Sequence, residues 1–242
     1  MRRRAAGSGG HSGAGRMGAL IDIKGKDEYY SGNWTLGCGY WFGTGLVYEG
    51  EGDDLYKSVY FTQASGAHYC IGAILDEGGN DTHELWDNAG AGIAFGWDYT
   101  NALLFDIGGN DRYIAKIISL GLAQIRSNAL LIDIGGDDYY QLQENQQGFG
   151  AATYRESYEV PNRLSPFDTY AKSFGLLLDI GGQDIYKDWY AENNRTFDSK
   201  RCANNTIWFS PTKDDENYGA NNYGVGLDSE TGRVPELELF KK

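Results

Sequence analysis

Short apolar runs alternate with polar, glycine-rich turns along most of this 242-residue chain. The run 130–132, for example, is entirely aliphatic and is followed by Asp133, and the run 176–178 is followed by Asp179. A short apolar run that ends in a glycine-rich turn is typical of a buried β-strand. The chain shows no sustained 3.6-residue period, and its 35 glycines disfavour helices. The pattern therefore predicts an all-β chain of short strands.

The runs belong to a motif that recurs at a near-constant step. Its first acid stands at Asp22, Glu49, Asp76, Asp106, Asp133 and Asp179. A second acid follows five residues later, at Asp27, Asp54, Asp81, Asp111, Asp138 and Asp184. The steps between copies are 27, 27, 30, 27 and 46 residues, and a degraded seventh copy begins at Asp228. A period of this length indicates a stacked repeat array rather than an ordinary globular core.

An aromatic ring completes each copy, two residues after the second acid. These ring residues are Tyr29, Tyr56, His83, Tyr113, Tyr140 and Tyr186. The spaced leucines of a leucine-rich repeat are missing, and a propeller blade needs roughly 40 residues per repeat. The pattern therefore predicts a parallel β-solenoid, or β-helix, of about seven coils with a 27-residue repeat. Coils of this kind stack about 4.8 Å apart, so equivalent residues are expected to form rows along the axis.

Two steps are longer than the others, and three of the four prolines fall within them. Pro161 and Pro166 lie in the segment 151–173, and Pro211 lies in the segment 190–219. Proline removes a hydrogen bond from a strand ladder, so it is expected outside the coils. We therefore predict a loop insertion near each of these two segments.

The two ends of the chain differ from the repeats. Residues 1–16 contain arginine and glycine but lack the apolar segment of a secretory signal, so they are expected to form a disordered tail. Residues 17–242 are expected to form one solenoid domain. The degraded copy at Asp228, followed by the alternating segment 236–239, predicts a cap over the last coil.

The net charge of −13 originates in the motif itself. Its two acidic positions supply 12 of the 34 acidic residues, and the remaining 22 nearly balance the 21 Lys and Arg. A chain without a basic face is not expected to bind nucleic acid. No apolar stretch is long enough to predict a membrane span. The fold type favours an extracellular or cell-envelope location, whereas three cysteines at non-equivalent positions argue against a disulfide framework.

Stacked coils would place the acids in two rows, which requires an explanation. Carboxylates about 5 Å apart repel by roughly 3 kcal/mol at an effective dielectric of 20. In one explanation, each acid accepts hydrogen bonds from backbone N–H groups one to three residues on and so fixes its turn. In the other, the twelve acids of the six clear copies bind Ca²⁺, which takes six to eight oxygen ligands.

Part of the motif resembles the RTX family of calcium-binding β-rolls. The segments 78–81, 108–111 and 135–138 are similar to part of that family's Gly-Gly-x-Gly-x-Asp nonapeptide, which implies calcium as a cofactor. The whole unit, including Gln-Gly-Phe-Gly at 147–150, is more similar to bacterial repeat proteins that alternate Gln-Gly-x-Gly with Asp-x-x-Gly-Asp-Asp-x-Tyr. That resemblance covers about residues 18–228 and implies the solenoid but no established activity.

The row of rings also has two interpretations. Stacked equivalent aromatics are usually structural, and offset pairs add about 0.5–1.5 kcal/mol beyond burial. If the rings faced solvent, they would suit a glycan, because the apolar faces of sugars pack on aromatic rings. Trp189 and Tyr190 would extend such a surface. The partner expected in that case is a polysaccharide or another protein.

Motifs for catalysis are scarce. The chain lacks His-x-x-x-His, Cys-x-x-Cys and Gly-x-Ser-x-Gly. Acid pairs suit glycoside hydrolysis in general, and a site would be sought in the insertions, at Arg155, Glu156, Tyr158, Asp198, Lys200 and Arg201. The preferred hypothesis is a non-catalytic structural or binding repeat protein stabilised by calcium. The alternative is a polysaccharide lyase or glycoside hydrolase on a β-helix.

Overall fold

The computed structural model describes residues 4–6, 14–86, 90–153, 172–210 and 222–232. This part of the chain contains 21 β-strands, numbered β1 to β21 in chain order, and no helix. The strands form three sheets, and the chain visits the sheets in turn as it winds around one axis. The all-β prediction is confirmed.

Each sheet collects strands from equivalent positions of the repeat. Sheet 1 holds the strands beside the first acids, in the order β2 (Met17–Ile21), β5 (Thr44–Glu49), β8 (Ile71–Asp76), β11 (Asn101–Ile107), β14 (Asn128–Ile134), β17 (Ser173–Ile180), β21 (Asn222–Ser229) and β20 (Ile207–Phe209). Sheet 2 holds the strands after the second acids, in the order β1 (Arg4–Ala6), β3 (Glu28–Tyr30), β6 (Leu55–Ser58), β9 (Thr82–Leu85), β12 (Arg112–Ile114), β15 (Tyr139–Gln143), β18 (Ile185–Tyr190) and β19 (Arg195–Asp198). Sheet 3 holds β16 (Ala152–Thr153), β13 (Leu122–Gln124), β10 (Phe95–Trp97), β7 (Ser65–Ala67) and β4 (Gly39–Tyr40).

The strands of the repeats pair in parallel, and their register aligns equivalent residues. One row in sheet 1 contains the first acids Glu49, Asp76, Asp106, Asp133, Asp179 and Asp228. One row in sheet 2 contains the ring residues Tyr29, Tyr56, His83, Tyr113, Tyr140 and Tyr186. Parallel stacking in register confirms the predicted β-solenoid and its 27-residue repeat.

The number of turns is about five rather than the seven predicted. Each of the first five copies contributes one strand to every sheet. In the sixth copy β19 turns back and pairs antiparallel with β18, and in the seventh β20 pairs antiparallel with β21. A chain that folds back on its own strand does not continue to the third sheet. The last two copies therefore add strands without completing a turn.

The predicted insertions and ends differ in part from the observed structure. The segment 190–219, predicted as a loop, contains β19 and β20 within its described residues. The segment 151–173 begins with β16, and its residues 154–171 lie outside the described residues. Within the predicted N-terminal tail, residues 4–6 form β1 beside β3, because the edge of β3 offers unpaired backbone groups. The predicted cap at 236–239 lies outside the described residues.

The core lies between the sheets, inside the solenoid. One aliphatic residue of each run, two positions before the first acid, is buried there, namely Val47, Ile74, Leu104, Leu131 and Leu177. Its neighbours along the strand are less buried, as expected from the alternation of side chains on a β-strand. The buried ring row of sheet 2 packs against these aliphatic residues in one continuous cluster.

The corner between sheet 3 and sheet 1 is made by two consecutive residues with positive φ. These pairs are Trp41-Phe42, His68-Tyr69, Asp98-Tyr99 and Ile125-Arg126. Bulky residues rarely adopt this conformation, which costs about 1–2 kcal/mol each. Hydrogen bonds between turns offset the cost, as from Phe42 N to His68 O at 3.0 Å. The corner leaves the side chains of Trp41 and Phe42 exposed.

Candidate metal centre in the carboxylate rows

The two acids of each copy are joined by a turn in which consecutive coils come very close. The turn glycines Gly79, Gly109 and Gly136 have φ of +155°, +156° and +146°. A Cβ on any of them would overlap the carbonyl oxygen of the equivalent glycine in the preceding coil. Only glycine combines this conformation with this close approach. The turn thereby brings acids of successive coils into contact.

Nearly all of these acids are buried. Both acids of the six clear copies, together with Asp228, are buried, except Asp22, which is half-buried. Burial of an ionised carboxylate is strongly unfavourable unless hydrogen bonds or opposite charge compensate it. Each carboxylate oxygen therefore needs a partner.

The second acids form a hydrogen-bonded row that links successive coils. The Oδ1 atom of each accepts a hydrogen bond from the backbone N–H of the equivalent acid in the preceding coil. The pairs are Asp27 to Asp54 (2.5 Å), Asp54 to Asp81 (2.6 Å), Asp81 to Asp111 (2.6 Å), Asp111 to Asp138 (2.6 Å) and Asp138 to Asp184 (2.7 Å). In this row the donor belongs to another coil, so these acids do not fix their own turns. The local hydrogen bonds predicted for an acid before a glycine-rich turn occur in the first row, from Ile23 N–H to Asp22 Oδ1 at 2.9 Å and from Gly78 N–H to Asp76 Oδ1 at 3.4 Å. The row of second acids ends where Asp184 donates its N–H to Asn204 Oδ1 at 2.7 Å.

The first acids accept hydrogen bonds from the ring row. Tyr56 Oη donates to Asp76 Oδ2 at 2.7 Å, and Tyr113 Oη lies 2.8 Å from Asp106 Oδ2 and 2.6 Å from Asp133 Oδ2. The rings stack along the row with centroids 4.5–5.2 Å apart. The structural interpretation of the ring row is confirmed. The solvent-facing alternative is wrong, because these rings are buried.

A further set of buried carboxylate oxygens has no hydrogen-bond donor from the protein. In the second row these are the Oδ2 atoms of Asp54, Asp81, Asp111, Asp138 and Asp184. In the first row they include Glu49 Oε1, Asp106 Oδ1 and Asp133 Oδ1. Leaving a buried polar group unsatisfied costs about 1–3 kcal/mol, and more for a charged group. Protein hydrogen bonds alone therefore do not satisfy these rows.

Burial raises the pKa of several carboxyls in the two rows, and nearby carboxylates raise it further. The pKa rises to about 6 for Asp54, about 7 for Asp138, about 8 for Asp111 and about 9 for Asp81. Burial also raises the pKa of Asp133 in the first row well above its ordinary value. The hydrogen bond from the neighbouring backbone N–H acts in the opposite direction but does not cancel the effect of burial.

Carboxylate oxygens converge in five clusters of three acids, and each cluster contains at least one of these unsatisfied oxygens. The clusters are Asp22-Asp27-Glu49, Asp54-Asp76-Asp81, Asp81-Asp106-Asp111, Asp111-Asp133-Asp138 and Asp138-Asp179-Asp184. In each cluster, one oxygen from every acid lies within 4.8 Å of the others. The twelve acids predicted as metal ligands are thus brought together. Asp81, Asp111 and Asp138 each belong to two clusters.

Sequence reasoning missed two residues that terminate the rows. Asp228 accepts a hydrogen bond from Tyr186 Oη at 2.7 Å, and Asn204 ends the row of second acids. The degraded seventh copy was a signal for Asp228. Asn204 gave no signal, because it lies in the long step between copies and outside the repeat.

The insertion residues considered for catalysis do not form a site in the described part of the chain. Arg155, Glu156 and Tyr158 lie outside it. Asp198 is paired at the surface with Lys187 Nζ at 2.6 Å. Arg201 contacts the Asp188 carboxylate and donates to Gln146 O at 2.6 Å. Arg201 therefore fastens the insertion to the solenoid.

Comparisons with known proteins return no match: no family model, no curated protein and no solved structure is found to be similar to this chain. None of the described residues forms a helix that is long and apolar enough to cross a membrane. The interpretation of the carboxylate rows therefore depends on their geometry and chemistry.

Proposed function

We propose that this chain is a non-catalytic β-solenoid whose turns are held together by a file of calcium ions in the carboxylate rows. The observation that carries the proposal is that three carboxylates converge within 4.8 Å at each step of the solenoid, and that each cluster includes at least one buried oxygen without a donor from the protein. A rigid rod of this kind suits a structural or binding role.

The charge of the clusters supports divalent ions. One divalent ion in each of the five clusters would bring ten positive charges to twelve carboxylates. Acids that belong to two clusters, such as Asp111, would bridge consecutive ions. Ions in a row would then offset the repulsion between acids that the repeat places side by side.

The ligand chemistry supports calcium over other common metals. Each cluster consists of carboxylates, without cysteine or histidine. Zinc prefers nitrogen and sulfur ligands, and magnesium keeps several waters in a strict octahedral shell. Calcium accepts six to eight oxygens at variable geometry, including bidentate carboxylates.

A proton is the alternative partner for these oxygens. With raised pKa values, several carboxyls could remain neutral near neutral pH without any ion. The two explanations differ in one respect: an ion must raise the melting temperature when it is added, whereas protons must do so when the pH is lowered.

The test uses two neighbouring aspartates that differ in burial. Asp138→Asn removes a charge from two of the five clusters, and its amide oxygen can still accept the hydrogen bond from Asp111 N–H. Asp137→Asn is the control, because Asp137 is exposed and its Oδ1 likewise accepts from the next coil, at Gln183 N–H. Thermal unfolding is measured for both variants and the wild type, with EGTA or with excess calcium.

Calcium at a hundredfold excess over its Kd stabilises a single-site protein by about 2.7 kcal/mol. For a domain of this size, that corresponds to a rise in Tm of roughly 5–10 °C. Asp138→Asn alters two of the five clusters, so we expect it to reduce the calcium-dependent rise in Tm by about that fraction. The rise in Tm should be unchanged in Asp137→Asn. Tyrosine-sensitised terbium luminescence, which calcium should quench by competition, provides a second measurement. A wild-type Tm independent of calcium from acidic to alkaline pH would exclude the proposal.

A further inference from the structure

Sheet 3 has an apolar cluster on its outer face, separate from the core. Gly39, Gly66 and Gly96 face inward, where a Cβ would meet the backbone or side chains of neighbouring strands and corners. Because side chains alternate along a strand, the residues beside these glycines face outward. Tyr40 and Trp97 are among them, and they pack in a cluster distinct from the one inside the solenoid.

A groove lies on this outer face, and the buried Ala67 forms part of its floor. Ala67 lies in register between Tyr40 and Trp97, so one small side chain separates two aromatic residues. Strand spacing places the backbones of Tyr40 and Trp97 about 10 Å apart. The groove has a volume of about 280 Å³, and Trp34 and Tyr60 also line it.

Apart from Trp34 and Phe61, which stack in direct contact with centroids 4.4 Å apart and planes inclined by 9°, the rings around the groove are not parallel. The planes of Trp34 and Tyr40 are inclined by 52° with centroids 4.5 Å apart, and Tyr60 is edge-on to Trp34 at 87°. A flat ligand stacks best between parallel rings, whereas inclined rings suit a compact, rounded group. A ring face attracts a cation that lies within about 6 Å of the ring centroid.

The charges around the groove also favour a cation. Its lining, as far as the structure describes it, includes no Lys or Arg. At its rim His68 Nδ1 lies 2.7 Å from Asp98 Oδ2, so a carboxylate is one side chain away from the groove. The faces of aromatic rings are negative, and the whole chain has a net charge of −13. An anionic ligand would be repelled by this charge distribution.

From this geometry we infer that the groove binds a trimethylammonium group on a small soluble molecule without negative charge, such as choline. Trp34, Tyr40 and Trp97 supply the aromatic walls, and Ala67 provides the space. Recognition of quaternary ammonium groups by such aromatic cages is a recurrent use of cation–π attraction. A phosphocholine headgroup is disfavoured, because its phosphate would approach Asp98.

Binding is tested with choline, with phosphocholine and with 3,3-dimethylbutan-1-ol, the neutral isostere of choline. Tryptophan fluorescence and broadening of the ligand methyl resonances report binding to the full chain. We expect choline to bind about tenfold more tightly than the neutral isostere, the ratio expected of a desolvated cation–π contact. Phosphocholine should bind more weakly than choline. Equal affinity for choline and its isostere would show that the groove binds through apolar contact alone, and would overturn the inference.

Three variants locate the site. Trp97→Leu keeps an apolar side chain but removes a ring, and should weaken choline binding about tenfold. Asp98→Asn should weaken it severalfold without a cost to folding, because asparagine tolerates the positive φ of 52° at this position. Phe42→Leu is the matched control, because Phe42 is exposed at the corner and does not line the groove. Equal weakening by Phe42→Leu, or binding of maltohexaose in place of choline, would contradict the inference.

Discussion

Two adjacent glycines in the turn between the acids test how closely the coils approach. A Cβ on Gly135, whose φ is +93°, would meet nothing within 4 Å. A Cβ on Gly136, whose φ is +146°, would overlap the carbonyl oxygen of Gly109. Both substitutions to alanine require an unfavourable φ, but only Gly136→Ala also forces two coils apart. The difference between the variants isolates the contact between coils.

The magnitudes follow from these two terms. In Gly135→Ala the left-handed conformation costs about 1–2 kcal/mol, and the stiffer unfolded chain returns about 0.4–1 kcal/mol. A net loss of about 1 kcal/mol is therefore expected. In Gly136→Ala, backbone strain of about 1–3 kcal/mol adds to an overlap of about 1–3 kcal/mol, for a loss of about 2–6 kcal/mol less the same unfolded-chain term. That loss is a large part of the 5–15 kcal/mol that typically stabilises a domain.

Urea unfolding followed by tryptophan fluorescence measures both variants, in the same buffer with a fixed calcium concentration. The slope of free energy against urea should be unchanged, so that the shift in midpoint reports stability alone. We expect Gly136→Ala to lose at least 2 kcal/mol more than Gly135→Ala, about the size of the overlap cost. If both variants lost the same free energy of unfolding, the inference that the coils approach closely at Gly136 would be wrong.

Two further predictions concern the carboxylate rows. In EGTA, Tm should fall as the pH rises from about 4 to about 9. When calcium is added, Tm should depend less on pH. The pKa of Asp81 rises from 3.8 to about 9 on folding, so the protonated carboxyl stabilises the folded chain. This contribution is complete below pH 3.8 and is lost as the pH rises through about 9. A Tm that increases over this window in EGTA would contradict the raised pKa values. Tyr113→Phe should cost about 2–4 kcal/mol, because it deprives Asp106 and Asp133 of a buried donor. Tyr139→Phe, at a half-buried position where the hydroxyl bonds Gln141, should lose less than about 1 kcal/mol by urea unfolding, and similar losses in the two variants would contradict the buried contact.

Several features of the fold could be predicted because they depend only on what repeats along the chain. A constant step of 27 residues aligns equivalent positions whenever coils stack in parallel. The constant spacing of the motif therefore predicted the row of acids and the row of rings. The number of complete turns did not, because the sixth copy keeps the motif while β19 folds back on β18. The motif carries no information about where the chain goes after the ring.

The partners of the acids required the tertiary structure. Asp111 accepts a hydrogen bond from Asp81 N–H, a group 30 residues away, and not from its own turn. Aspartate side chains in turns often accept hydrogen bonds from backbone N–H groups close in sequence, so a local donor would be the ordinary expectation. The close approach at Gly109 changes this, since it brings the neighbouring coil within hydrogen-bond distance.

The sequence by itself determined that this chain is a β-solenoid with aligned rows of acids and rings, because a fixed period and an apolar alternation admit few other folds, whereas the burial of both rows was decided by the tertiary structure. The register of sheet 3 places Ala67 between Tyr40 and Trp97, at the same steps as the motif. Only the tertiary structure decided that this row faces outward. Bulky residues with positive φ, such as Trp41, turn the corner beside it without the glycine or asparagine that usually marks such a turn. Contacts between coils stabilise that conformation, and they exist only when the solenoid has formed.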